Sequence, residues 1–305
     1  MLVIVAPGQG AQTPGFLEPW LADPAFESRL NWLSAVAGLD LAHYGTQADA
    51  DAIRDTAIAQ PLLVAAGLAA APALFDGAVT PGLLAGHSVG ELAAAALSGA
   101  LSVEQAMVLV RERGKAMAAA AALTPTSMTA VLGGDRDEIL AKLAEYGLTP
   151  ANDNGPGQIV AAGTVEELAA FAEDPPAKAR LIPLSVAGAF HTKHMEPAVQ
   201  TLAKYATAIS TAEPAVRLLS NRDGEVVAGG DDALQRIVAQ VNSPVRWDLC
   251  MQAMSELGVT GILELPPAGT LVGIARRALK GVETFALKTP DQLDDARAFV
   301  AKHAS

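Results

Sequence analysis

The 305-residue chain reads as an α/β protein, a large part built on a parallel sheet with a small inserted part. Three observations predict this. Short apolar runs ending in glycine turns alternate with helical stretches in the first third, the order of a parallel sheet covered by helices on both faces. The texture changes at Thr124-Pro125, and the segment up to residue 187 carries its own strand-helix-strand-strand-helix-strand order. Apolar strand runs of the first kind then return near the end of the chain.

Taken in order, Leu2 to Ala6 is a buried parallel strand, stopped by Pro7-Gly8, with Gln9-Gly10-Ala11-Gln12 as the following loop. Residues 47–75 read as helical with an interruption at Pro61. Leu83-Leu84-Ala85 is a second strand, and helices follow over roughly 91–98 and 103–122. In the inserted part, Met128 to Leu132 is a strand, Arg136 to Tyr146 a helix and Thr149 to Asn152 a strand. The turn Asn154-Gly155-Pro156-Gly157 leads to a strand at Gln158 to Ala162, a helix at Val165 to Glu173 and a strand at Arg180 to Val186. That βαββαβ order is the ferredoxin-like pattern. The expected domains are therefore 1–123 with 188–305, and 124–187. Late strands are expected at Gly261 to Leu265 and Val282 to Leu287.

Composition narrows the function. Hydrophobic residues make up 51% of the chain, enough for a sizeable core. Against 33 acidic residues there are 21 basic ones, a net charge of −12 that argues against nonspecific nucleic-acid binding. Cys250 is the single cysteine and lies in an apolar run, so a buried inert thiol is expected and a cytoplasmic setting fits. Met1 to Ala6 lacks a basic leader and does not read as a signal peptide. Leu62 to Phe75 is too short to span a bilayer, so no membrane association is expected.

Gly86-His87-Ser88-Val89-Gly90 is the G-x-S-x-G of a nucleophile elbow: strand, sharp turn, helix, with a serine at the apex and a helix N-terminus beneath it. It implies acyl transfer to an unspecified acceptor. Ser88 needs a base, and the chain has five histidines. His303 lies at a terminus expected to fray, His43 in an expected loop, and His87 diverges from its neighbour Ser88 at the turn. His191 and His194 share the junction where the inserted part returns to the large one, the kind of place where clefts form, and His191 is favoured. Solvated loop histidines are the alternative.

Arg113 stands out on the helix after the elbow. At about 100° per residue it falls in the apolar arc of Val103, Ala106, Met107, Val110, Gly114 and Met117, opposite Glu104, Arg111, Glu112 and Lys115. A guanidinium there is costly unless paired. It is an internal salt bridge or a snorkelling side chain, or else a bidentate clamp for a substrate carboxylate. With a nucleophilic serine on the preceding turn, the last reading points to a dicarboxylic monothioester such as malonyl.

At full length the chain resembles the malonyl-CoA:acyl-carrier-protein transacylases and the related acyltransferase domains of polyketide synthases. The resemblance rests on Gly8-Gln9-Gly10-Ala11-Gln12, the elbow through Glu91, Arg113-Gly114-Lys115, Asn154-Gly155-Pro156-Gly157-Gln158, Phe190-His191 and Asn242-Ser243-Pro244-Val245-Arg246-Trp247, with the segment before Gln60-Pro61 similar to actinobacterial members. It implies an α/β-hydrolase-like large domain. It further implies that Ser88 is acylated, that His191 is its base, and that Arg113 binds the malonyl carboxylate. The N–H groups of Gln9 and Val89 would form the oxyanion hole, and the carbonyl of Gln240 would orient His191. Phe190 would limit substrate size, although Gly188 stands where many polyketide-type domains carry histidine. No metal and no cofactor are implied, since CoA arrives as the thioester substrate and phosphopantetheine belongs to the carrier protein. The expected partners are malonyl-CoA and acyl carrier protein, the latter met by a basic patch of Arg276, Arg277 and Lys280, with Lys193 nearer the site. A serine thioesterase shares the elbow but has no use for Arg113. A transferase serving a polyketide synthase or malonate decarboxylase carrier shares every motif.

Overall fold

The structure is a computed structural model and describes residues 1–75 and 80–304. The chain opens with β1 (Leu2–Ala6), followed by helices α1 (Pro24–Ala37), α2 (Leu41–Thr46) and α3 (Thr56–Ala70). Then come β2 (Leu83–Gly86), α4 (Gly90–Ser98) and α5 (Val103–Ala121). The inserted part contributes β3 (Thr126–Gly133), α6 (Arg136–Glu145), β4 (Thr149–Asp153), β5 (Gln158–Thr164), α7 (Val165–Glu173) and β6 (Ala179–Pro183). The return comprises α8 (Glu196–Ala206), β7 (Arg217–Leu218), α9 (Gly230–Gln240), β8 (Val245–Arg246) and α10 (Trp247–Glu256). It ends with β9 (Gly261–Glu264), α11 (Thr270–Ala278), β10 (Glu283–Ala286) and α12 (Leu293–His303).

The large sheet has the order β10-β9-β1-β2-β7, parallel throughout. All five residues of β1 are buried, as a strand covered on both faces requires. β1 lies between β2 and β9, so the chain leaves it towards one side and later returns on the other. Crevices form at the carboxyl ends of strands at such a switch point. The second sheet runs β6-β3-β5-β4, antiparallel, with a core of Val131, Ile139, Leu143 and Phe171 beneath α6 and α7. This is the ferredoxin-like order. It also recruits Val245–Arg246 from the return segment, which pairs in parallel with Asn152–Asp153.

Local chemistry sets the ends of these elements. Ser102 and Gln105 form a capping box that starts α5, and Thr164 and Glu167 form another that starts α7. Glu264, fully buried at the end of β9, accepts the N–H groups of Gly269 at 2.9 Å, Leu271 at 3.0 Å and Val272 at 3.0 Å, capping α11.

Several expectations need correction. Helix α3 begins at Thr56 rather than near residue 47, because Asp55 caps it and only a short 3₁₀ turn (Ala52–Arg54) precedes it. Pro61 does not interrupt α3. It removes one N–H near the helix start, and close packing against α5 outweighs that loss: a β-carbon on Gly114 would lie 2.8 Å from the Thr56 carbonyl oxygen. The stretch Thr56–Leu74 is long and apolar enough to cross a membrane, yet 78% of its apolar window is buried inside this fold. His43 lies on α2, not in a loop. His303 does not fray: it ends α12, is buried, and its Nδ1 lies 2.9 Å from Thr260 Oγ1.

Candidate active site

The elbow requires both of its glycines. A β-carbon on Gly86 would overlap the Gly90 backbone, and one on Gly90 would overlap the Ala6 carbonyl at the end of β1. The turn is tied to β1 by His87 N–H donating to Ala6 O at 3.0 Å. Ser88 sits at its apex with φ 53°, a left-handed conformation that costs about 1–3 kcal/mol and persists only where the surroundings enforce it. Asn221 does so by accepting the Ser88 N–H on Oδ1 at 2.7 Å while its Nδ2 donates to Gly86 O at 2.8 Å.

His191 meets Ser88 across the cleft. It lies in the loop between β6 and α8, also at positive φ (61°), with its backbone N–H held by Val241 O at 3.1 Å. Its Nε2 is 2.7 Å from Ser88 Oγ and its Nδ1 is 2.8 Å from Gln240 O. A carbonyl can only accept, so Nδ1 carries the proton and Nε2 presents a lone pair to the serine hydroxyl. Among the described residues no carboxylate completes a triad at Nδ1; a peptide carbonyl at the end of α9 takes that place.

Burial lowers the His191 pKa to about 3, helped by the nearby Arg113 charge and opposed by the Gln240 carbonyl. The ring is therefore neutral, the form a general base needs. The free-enzyme profile follows: kcat/KM stays level from pH 7 to about 5 instead of falling through the ordinary histidine range near 6.5. A stopped-flow pH series checks this, with an acid limb near 6.5 as the contrary result. The stability sign is the same. An unfolded histidine protonates below about 6.5 and the folded one does not, so acidification from there towards 3 costs stability.

Arg113 projects from α5 into the same space and is only 1% exposed. Nη1 donates to Gln60 Oε1 at 2.6 Å, and Nη2 donates to Gln240 Oε1 at 2.9 Å and Ser88 Oγ at 3.4 Å. Nε is buried without a partner. Desolvation lowers its pKa to about 10, with Glu91 acting the other way, so the group stays cationic at neutral pH. Among the described residues it forms no ion pair; its hydrogen-bond partners are neutral. A desolvated cation beside the nucleophile, held by two amides and with no ion-pair partner among the described residues, has the chemistry to receive an anion.

The remaining expected residues fall around this centre. Neither the Gln9 nor the Val89 amide N–H is taken by an acceptor among the described residues, and both flank the cleft mouth at the ends of β1 and β2. The loop carrying Gln9 is fastened by its own side chains: Gln9 Nε2 donates to Thr56 Oγ1 at 3.3 Å and Gln12 Nε2 to Ile53 O at 3.0 Å. Two amides free at a helix N-terminus and a facing loop can receive a developing oxyanion. Phe190 lines the cleft with Met117, Met128 and Leu184; the cavity measures about 250 Å³ and lies between the two sheets. His87 points away from Ser88, its Nε2 2.8 Å from Asn154 Oδ1 and its ring edge-on to Trp247 at 5.6 Å. His194 belongs to a short 3₁₀ turn and makes no bond to Ser88. Cys250 is buried under the elbow, and burial pushes its thiol pKa up. Among the described residues no group of three or more His, Cys, Asp or Glu side chains is placed to hold a metal ion.

Four participants escaped the sequence reading: Gln60, Asn221, the side chain of Gln240, and Glu91. Glu91 left a signal, a lone charge ahead of the alanine-rich run Leu92 to Leu97. It is buried beneath the elbow and its pKa is raised to about 8, chiefly by that burial.

A serine at a strained strand-helix elbow, paired to a neutral histidine and flanked by a buried guanidinium, fits a serine acyltransferase. The chain belongs to that family: residues 3–300 match the acyl transferase domain model, and its relatives are malonyl CoA-acyl carrier protein transacylases. The transacylase of Mycobacterium tuberculosis is 50% identical over 298 residues, covering 97% of this chain and 99% of the relative. That of Escherichia coli K12 is 33% identical, covering 95% and 96%. The crystal structure of the M. tuberculosis enzyme matches with a TM-score of 0.93 at 49% identity over 97% of this chain and 99% of that one. A malonyl-transacylase solved in complex with a type II polyketide acyl-carrier protein matches with a TM-score of 0.91 at 30% identity, over 97% and 99%.

Proposed function

We propose that this chain moves the malonyl group of malonyl-CoA to the phosphopantetheine thiol of an acyl carrier protein in fatty-acid synthesis, through a malonyl-serine on Ser88. The observation that carries the choice of malonyl is Arg113: a buried guanidinium within 3.4 Å of Ser88 Oγ that has no carboxylate partner among the described residues.

The steps follow from the geometry. His191 Nε2 takes the Ser88 proton as Oγ attacks the thioester carbonyl, while Arg113 holds the distal carboxylate. The oxyanion forms against the N–H groups of Gln9 and Val89, donors of a kind worth about 10²–10³-fold each. Collapse expels the CoA thiolate, which recovers the proton from His191. The carrier thiol then gives its proton to His191 and attacks the malonyl-serine, restoring Ser88. The malonyl carboxylate on Arg113 also offsets the positive charge that depresses the His191 pKa, so a dicarboxylic substrate makes its own base stronger. We assign no cofactor to this chemistry, and the reading carries a cytoplasmic setting with it. An assay following malonyl transfer to carrier protein against release of free malonate tests it. Transfer should dominate; release of malonate at the same rate without carrier would make the protein a thioesterase.

Helix α11 connects the site to the carrier. Thr270, Leu271 and Ile274 line the cleft, and Arg276 and Arg277 follow in the last turn, with Arg277 Nη2 3.2 Å from Gln158 Oε1 at the rim. A basic rim suits an acidic carrier approaching an otherwise acidic protein. Reversing both charges, Arg276→Glu with Arg277→Glu, should raise the carrier KM about tenfold at low salt and leave the malonyl-CoA KM within about twofold. An unchanged carrier KM removes this helix from the docking surface.

A further inference from the structure

Glu91 lies in the first turn of α4 and is 3% exposed. Its Oε1 accepts the Asn221 backbone N–H at 2.5 Å, and its Oε2 accepts Gln240 Nε2 at 2.5 Å. Those two residues reach each working part of the site. Asn221 Oδ1 holds the Ser88 N–H. Gln240 holds Arg113 through its side-chain oxygen and His191 through its backbone carbonyl.

A glutamine amide can sit either way round by shape, and polarity decides between the two. Here Nε2 faces three acceptors: Glu91 Oε2, Ser88 O at 3.1 Å and Asn221 Oδ1 at 3.1 Å. The oxygen faces the guanidinium. Reversed, the oxygen would meet three oxygens and the NH₂ would meet Arg113. Glu91 makes the shortest of the three contacts.

We propose that Glu91 is a positioning residue for malonyl transfer: it locks the Gln240 amide so that one residue aims both the Arg113 clamp and the His191 base. Where a serine triad usually has a carboxyl group on its histidine, this site has one on the far side of Gln240. From there it orders the base and the substrate clamp together. The inference rests on the acyl-transfer reading above.

Glu91→Gln tests it. The substitution keeps shape but leaves one acceptor for two donors; the Asn221 backbone N–H cannot turn and keeps it, so the new NH₂ faces Gln240 Nε2, which must flip or withdraw and so lose its hold on Arg113. Malonyl and acetyl transfer are measured side by side for wild type, Glu91→Gln and Glu91→Asp, with circular dichroism reporting the fold. The malonyl-to-acetyl ratio of kcat/KM should fall by about tenfold in Glu91→Gln, the scale of one hydrogen bond to a charged group, and by less in Glu91→Asp, which keeps the acceptor. A ratio unchanged in both variants, whatever happens to total activity, overturns the proposal, because a merely structural carboxyl would lower both reactions alike. Should Glu91→Gln be insoluble, the Glu91→Asp ratio decides by the same criterion. A wild-type protein that takes no malonyl from malonyl-CoA would instead defeat the acyl-transfer reading and leave Glu91 out of question.

Discussion

Ser88→Ala leaves no acyl-enzyme. With Oγ absent, incubation with radiolabelled malonyl-CoA deposits no label on the protein, and turnover falls by about 10⁴-fold or more, the scale seen when a serine nucleophile is removed. The fold should survive, because the features that hold the elbow are elsewhere: the Asn221 bond to the residue 88 N–H and the two glycines are untouched. Unchanged circular dichroism and thermal midpoint establish that. Persistent labelling of the variant would move the nucleophile to another residue. The effect is large because nothing nearby can substitute: Cys250 is buried with its thiol pKa raised.

Arg113→Ala changes the substrate more than the chemistry. Ser88, His191 and the free amides remain, so a monocarboxylic acyl group still reaches the nucleophile. The malonyl carboxylate loses its charge-assisted bonds, about 3 kcal/mol, which is roughly 10²-fold in kcat/KM. Acetyl transfer should hold or rise, partly because removing the cation lets the His191 pKa recover. Steady-state competition between malonyl-CoA and acetyl-CoA reads the ratio directly. A ratio equal to wild type would show that the carboxylate is held elsewhere. Some loss of stability is expected as well, since Gln60 Oε1 and Gln240 Oε1 each lose a buried donor.

Much of the architecture is written in periodicity. The strand Leu2–Ala6 and the helix Val165–Glu173 match their expected bounds, because each is an apolar pattern closed by a strong signal: Pro7-Gly8 in one case, the Thr164–Glu167 capping box in the other. The elbow was legible for the same reason, since only glycine fits at 86 and 90. Arg113 announced itself by breaking an apolar arc. Helices α1, α2, α8, α9, α10, α11 and α12 were not read from the sequence, and the two-residue strand β7 is too short to leave a pattern. The misreading at Pro61 has a tertiary cause: proline weighs against a helix locally, while the close approach of Gly114 to Thr56 holds it from outside.

The site divides along the same line. Residues whose type alone suggests chemistry, Ser88, His191 and Arg113, could be singled out, and the structure brings them together. The residues that aim them could not. Gln60, Asn221 and the side chain of Gln240, a residue expected only for its backbone carbonyl, carry amides of a kind found all over protein surfaces, and their importance lies in which way each amide faces. Orientation arises from contacts across 133 and 149 positions of sequence and has no local signature.

The central claim is a malonyl group held on Ser88 and then surrendered to a carrier thiol. Intact-protein mass spectrometry after brief exposure to malonyl-CoA tests it in a single pair of spectra. Without carrier protein, the protein should gain the mass of one malonyl group, mapped to the peptide containing Ser88. On addition of holo carrier protein, that mass should leave the protein and appear on the carrier. A protein that never gains the mass, or gains it and loses it only to water while the carrier stays unmodified, would contradict the account.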